Sequence, residues 1–152
     1  MAKIDNLAAS LNGLLPVIEK IVCDWKPPKF KSEVSYRDNL LAHLREVLPD
    51  DAKVEKEFLH RGTTMDLWIG WKSVLGIDEL AFRLKLNLKK KSNFDRLIGQ
   101  IEGLEPRNNK IMVVLIGDTD QAFLGRVRDK YVQQIKATAP TLSIVLVPVT
   151  EQ

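Results

Sequence analysis

The sequence predicts an α/β domain built on a mixed central sheet with helices on both faces. Three observations carry that expectation. Strand-like runs follow one another at about 53–60, 65–71 and 79–88, the last alternating apolar and polar from Leu80 onward, which fits a meander. Ile111-Met112-Val113-Val114-Leu115-Ile116 is an unbroken apolar run, the mark of a strand covered on both faces. Between it and a last apolar run, Leu142 to Val149, lies a helical stretch, so strand, helix and strand fit a parallel crossover.

The elements follow in chain order. Residues 5–23 carry Leu7, Leu11, Leu14, Leu15, Ile18, Ile21 and Val22 near helical spacing, with Asn12, Gly13 and Pro16 as interruptions. Trp25 to Lys31 contains Pro27-Pro28 and reads as a stiff connector. Ser32 is placed to cap a helix over about 33–48 with the stripe Leu40, Leu41, Leu44, Val47 and Leu48, and Pro49-Asp50-Asp51 ends it. In the third strand Phe82, Leu84, Leu86 and Leu88 share one face, with Ala81, Arg83, Lys85 and Asn87 on the other. Ser92-Asn93-Phe94-Asp95 reads as a capping box that opens a helix to about 105. Asp118 or Asp120 starts the next helix, which runs to about 137.

Composition narrows the functional classes. With 152 residues the chain is expected to form one domain over 1–152, with its core at about 32–149 and a helical extension at 1–31. Hydrophobic residues at 45% and charged residues at 28% argue against disorder. Cys23 is the single cysteine, which excludes an internal disulfide; with His43 and His60 the only histidines, a structural zinc site is excluded too. Met1-Ala2-Lys3-Ile4-Asp5 has no signal-peptide pattern, and no apolar run approaches the ~18 residues of a membrane span. A cytoplasmic protein with no membrane partner is therefore expected. A net charge of +3 and a pI near 9.0 are compatible with nucleic acid without requiring it. No glycine-rich phosphate loop is present.

Several polar residues point where packing alone does not call for them. Glu33 falls about 20° from Leu40 in helical projection, on the apolar stripe. Asp66 interrupts the apolar second strand on the face opposite Met65, Leu67 and Ile69. Arg83 and Lys85 share a face of the third strand. Gln100 flanks the Leu97, Ile101 and Leu104 stripe by about 60°. A Glu, an Asp, a Lys and a Gln from four elements, all directed at one sheet, are costly to bury without a purpose.

Glu33 with Tyr36 and Arg37 behind it, Asp66 in an apolar strand, Lys85 in the next strand, and a helix carrying Asp95-Arg96-Leu97-Ile98-Gly99-Gln100 occur in the order of a known family. Over roughly residues 32–149 the chain resembles the PD-(D/E)XK nuclease superfamily. The resemblance implies a restriction-endonuclease-like fold with core order α-β-β-β-α-β-α-β. It also implies an endonuclease that hydrolyses phosphodiester bonds of DNA with Mg²⁺ or Mn²⁺. Asp66 and Glu33 would hold the metal, Lys85 would orient or activate the attacking water, and Gln100 would place groups or substrate. A homodimer is implied by analogy with the same superfamily.

One residue departs from the pattern. The motif triplet here is Arg83-Leu84-Lys85, with arginine at the acidic position. Two readings stay open. Glu33 serves as the second acidic ligand and Arg83 binds phosphate, giving a weakened nuclease. Alternatively, Arg83 pairs with Asp66 and takes the metal's place, leaving an inactive nuclease-like domain that binds nucleic acid or assembles with protein. Lys89, Lys90, Lys91 and Arg96 form a basic cluster suited to a nucleic-acid backbone, as well as to a solvated turn. Trp25, Trp68 and Trp71 are of a type that stacks on bases but read first as packing residues, and Cys23 reads as a small core residue.

Overall fold

Strand pairing and side-chain alternation together decide which helix covers which face. The computed structural model describes residues 14–60, 63–73, 76–104 and 110–149. Its elements are α1 (Leu14–Asp24), α2 (Glu33–Val47), β1 (Lys53–His60), β2 (Thr63–Ser73), β3 (Gly76–Leu86), α3 (Lys91–Leu104), β4 (Lys110–Ile116), α4 (Gln121–Lys130), α5 (Val132–Lys136) and β5 (Leu142–Val147). The strands form one five-stranded sheet in the order β1-β2-β3-β4-β5. β1, β2 and β3 pair antiparallel as a meander, and β4 and β5 add in parallel.

The expected mixed sheet with helices on both faces is what forms. Leu67, Ile69, Leu80, Phe82, Leu84, Met112 and Val114 pack with Leu15 and Ile18 of α1 and with Tyr36, Leu40 and Leu44 of α2. The alternate residues Trp68, Ala81, Ile111, Val113 and Leu115 pack with Phe94, Leu97 and Ile101 of α3 and with Leu124 and Val127 of α4. Covering both faces of β4 explains its continuous apolar run.

Local chemistry sets most boundaries. Ser32 caps α2 as expected, its Oγ accepting the Ser35 N–H at 3.2 Å. The start expected for the first helix near residue 5 lies outside the described residues. Of the two aspartates, Asp120 caps α4: its side chain accepts the Phe123 N–H at 3.0 Å. The single helix expected to 137 divides at Tyr131, which is buried at φ −110 and ψ 21 and donates its hydroxyl to Glu102 at 3.0 Å. The capping box at Ser92 does not form. α3 starts at Lys91, two residues before a helix capped by Ser92 would; the Lys90 carbonyl accepts the Asn93 and Phe94 N–H groups, and Asp95 pairs with Lys91.

Alternation in β3 stops sooner than expected. Asn87 adopts φ 52, a left-handed conformation that asparagine tolerates better than most residues. The turn sends Leu88 into the core under α3 and α4, while Leu84 and Leu86 pack toward α1 and α2. Gly117 lies against this turn at φ 81, where a β-carbon would overlap the Asn87 side-chain oxygen. The tryptophans are packing residues: Trp25 is buried with its Nε1 donating to Asn39 at 2.8 Å, Trp68 is buried, and Trp71 donates to Asp51 at 3.3 Å. Cys23, by contrast, is exposed at the end of α1 rather than in the core. Among the described residues no helix is long and apolar enough to cross a membrane.

Gly70 is buried beneath the Trp68 ring, where an added methyl group would overlap the indole. The ring is itself buried and has little room to move. Gly70→Ala is expected to destabilise the fold by about 1–3 kcal/mol through overpacking. Urea unfolding measures this, and an unchanged midpoint would show that the indole moves freely.

Candidate active site

The site starts from a gap in the sheet. β2 pairs with β3 from Ser73↔Gly76 to Leu67↔Phe82 and no further. β2 pairs with β1 at Lys56↔Leu67 and Phe58↔Met65, but not at the intervening Asp66. The residue of β1 at that break, Glu57, has φ 51. Such a conformation is strained for glutamate by roughly 1–2 kcal/mol. Asp66 thus sits where both ladders let go.

Two carboxylates fill the gap. The Leu84 N–H donates to Asp66 Oδ2 at 2.9 Å, and the Leu86 N–H donates to Glu33 Oε2 at 3.3 Å. Lys85 lies between these two residues, close enough to influence Glu33 electrostatically, as Asp66 does. Asp66, Lys85 and Glu33 are therefore brought together at the end of β3. Glu33 is held by its place in the first turn of α2, whose Tyr36, Leu40 and Leu44 are packed on the sheet.

Glu33 divides two small cavities. One of about 50 Å³ is lined by Glu33, Arg37, Asp66 and Leu84. The other, about 160 Å³, is lined by Glu33, Lys85, Asn93 and Arg96. Arg37 braces the first. Its guanidinium donates to Glu57 at 2.7 Å and to Asp38 at 3.0 and 3.1 Å, tying α2 to the strained residue of β1. Burial pushes the Glu33 carboxyl above the ordinary glutamate range. Lys85 and the Leu86 N–H pull it down, and Asp66 adds to the rise.

The other candidates lie around this cluster. Arg83 is half-buried and forms no ion pair with Asp66 among the described residues, and its Nε is buried without a hydrogen-bond partner. The Asp66–Arg83 pairing considered from the sequence is therefore not made. Gln100 is half-buried on α3 with its side-chain carbonyl buried and without a partner, and no hydrogen bond joins it to Asp66, Lys85 or Glu33. Lys89 pairs with Asp118 at 2.6 Å and Lys91 with Asp95 at 3.0 Å, whereas Lys90 and Arg96 are exposed. Glu57 and Asn93 were not anticipated. The backbone of Glu57 leaves no trace in the sequence, and Asn93 had been read only as part of a cap.

The acidic groups at the site are few. Among the described residues no cluster of three or more His, Cys, Asp or Glu exists. Two carboxylates remain, each with one oxygen committed to β3 and one oxygen not so committed. Mg²⁺ keeps several waters and is commonly held by one or two carboxylates plus substrate phosphate. A cation between them would also relieve the unfavourable charge on Glu33.

No family model, curated protein or solved structure matches the chain.

The raised Glu33 pKa has a signed consequence for stability. The folded state holds this proton more tightly than the unfolded chain does. Stability therefore falls as pH rises from the ordinary glutamate value through the raised one, and the full cost persists above it. Glu33→Gln lacks this titration yet keeps an oxygen for the Leu86 N–H. Its melting temperature relative to wild type is expected to increase between about pH 4 and about pH 7. Paired thermal melts check this; a difference that stays flat or shrinks would mean that burial does not dominate at Glu33.

Proposed function

We propose that this chain is a metal-dependent phosphodiester hydrolase of the PD-(D/E)XK type that acts on DNA. The observation that carries the proposal is the capping of Leu84 and Leu86 of β3 by Asp66 and Glu33, with Lys85 between them. From α2 onward the element order is α-β-β-β-α-β-α-α-β on a mixed sheet, which is consistent with a restriction-endonuclease-like topology.

In this reading Asp66 and Glu33 hold Mg²⁺ or Mn²⁺ through their remaining oxygens. The ion, when bound, supplies charge neutralisation and an acidified water. Lys85 faces the phosphate from the larger cavity and stabilises charge that develops on it. Arg83 serves the phosphate rather than the carboxylates. Lys90 and Arg96 follow the strand backbone, with Lys91 contributing once it leaves Asp95, while Lys89 stays paired with Asp118 and adds its charge to that side of the site. Gln100, with its unpaired carbonyl, orients a substrate or water donor.

A second reading rests on a specific observation. An arginine stands at the acidic motif position, and among the described residues two carboxylates, Asp66 and Glu33, bond to β3 at the site. On that reading the fold binds nucleic acid or protein without cutting.

Cleavage of supercoiled, linear and single-stranded DNA with Mn²⁺ or Mg²⁺ separates the two. Wild type is expected to cut, with Lys85→Ala slower by about a hundredfold or more. Metal at a hundred times its Kd should also stabilise the fold by about 2.7 kcal/mol, and Asp66→Asn should abolish that gain. An inert wild type whose Arg83→Glu variant cuts establishes the second reading. An inert protein with no metal-dependent shift in either form removes the hydrolase proposal.

A further inference from the structure

A larger groove of about 440 Å³ adjoins the candidate site and has no role in the chemistry above. Phe30, Tyr36, Leu86, Asn87 and Asp118 are among its lining residues. Leu86 also lines the recess of Lys85, Asn93 and Arg96, so the two spaces meet across one side chain. The volume is within the usual range of sites for small organic groups.

Its walls are of two kinds. On one side Phe30 is half-buried and sits edge-to-face on the buried Tyr36, with ring centroids 5.1 Å apart at 80°. The Tyr36 hydroxyl accepts the Phe30 N–H at 2.9 Å, which fixes the chain that carries the ring. On the other side Asn87 is locked by its left-handed backbone, and its Oδ1 accepts the Asp118 N–H at 2.9 Å. That bond occupies the amide oxygen and leaves the amide NH₂ as a donor. The Asp118 carboxylate, neutralised by Lys89 at 2.6 Å, supplies acceptors beside it. A half-buried aromatic ring, a donor and an acceptor in the lining of one groove match what proteins use to hold an unstacked nucleobase, by contact with its ring and hydrogen bonds to its edge.

We propose that this groove seats one unpaired base of a DNA strand whose phosphate lies in the recess of Lys85, Asn93 and Arg96. The proposal rests on the phosphodiester reading of the site and adds a substrate class to it: unpaired DNA. A base in a duplex must first be unpaired and unstacked to enter such a groove, whereas a single strand presents it freely.

The test is binding without cleavage. Fluorescence anisotropy in a chelator follows a short labelled single strand, a blunt duplex of the same sequence, and the free nucleoside monophosphate. Phe30→Leu keeps an apolar side chain against Tyr36, and Asn87→Gly keeps the left-handed backbone while removing the amide. Thermal melts establish that each variant is folded at the assay temperature. Wild type is expected to bind the single strand more tightly than the duplex. Phe30→Leu is expected to weaken single-strand binding by about tenfold, the scale of losing one stacked base. Asn87→Gly should weaken it in the same direction, and both should leave duplex binding unchanged. The monophosphate should compete weakly with the single strand. Equal binding of duplex and single strand, or unaltered single-strand binding in the folded Phe30→Leu variant, would overturn the proposal. An inert protein that still selects single strands through Phe30 and Asn87 keeps this groove and loses the hydrolase reading. A metal-dependent cutter with no strand preference does the reverse.

Discussion

Backbone N–H groups must find acceptors, and on β3 two of them cannot use the neighbouring strand. β2 stops pairing at Leu67↔Phe82, so Leu84 and Leu86 would be left with unsatisfied donors on that side. An orphaned buried donor costs about 1–3 kcal/mol. Asp66 and Glu33 satisfy both, and the carboxylates are thereby fixed in place by the sheet's own hydrogen-bonding requirement. Much else in the molecule follows from that. α2 must lie with its first turn over the end of β3, which the packing of Tyr36, Leu40 and Leu44 ensures, and β2 must release its neighbours at Asp66.

The gap is bounded by two strained residues. Glu57 on β1 and Asn87 after β3 both have positive φ without being glycine. Asparagine bears this well, and here its side chain also bonds the Asp118 N–H. Glutamate does not, and the Arg37 hydrogen bond at 2.7 Å offsets part of the strain. One residue breaks the ladder beside Asp66, and the other ends the strand beyond Lys85. Strain of this kind concentrates where a fold gives up regular pairing for a site, and here the two instances bracket the same three side chains.

Features that depend on local periodicity were legible in the sequence. The meander, the buried β4 run, the Ser32 cap and the inward tilt of Glu33 all follow from spacing within one element. Features that depend on a single backbone angle or on a tertiary partner were not. Alternation placed Leu88 with Leu84 and Leu86, but the turn at Asn87 carries it to the opposite core. Charge suggested an Asp66–Arg83 pair, but charge alone gives no geometry: Asp66 accepts the Leu84 N–H, and the Arg83 Nε has no hydrogen-bond partner among the described residues. Helical projection placed Gln100 near the sheet, but projection gives a direction and not a partner, and its carbonyl oxygen has none among the described residues. Ser92 looked like a cap because the motif is short; the Lys90 carbonyl opened the helix first.

Glu33 is a wall shared by the cavities of about 50 and 160 Å³. Whatever occupies one therefore changes the charge seen by the other. A cation on the Asp66 side would favour the ionised form of Glu33, whose pKa burial otherwise raises, and would alter the charge balance in the recess of Lys85 and Arg96. Were both cavities occupied, binding on the two sides would be linked through this one group. Linkage is reciprocal: whatever factor an anion in the larger recess applies to cation affinity, the cation applies equally to the anion. The two ligands then behave as a cooperative or an antagonistic pair, according to whether neutralising Glu33 outweighs freezing the side chains around it.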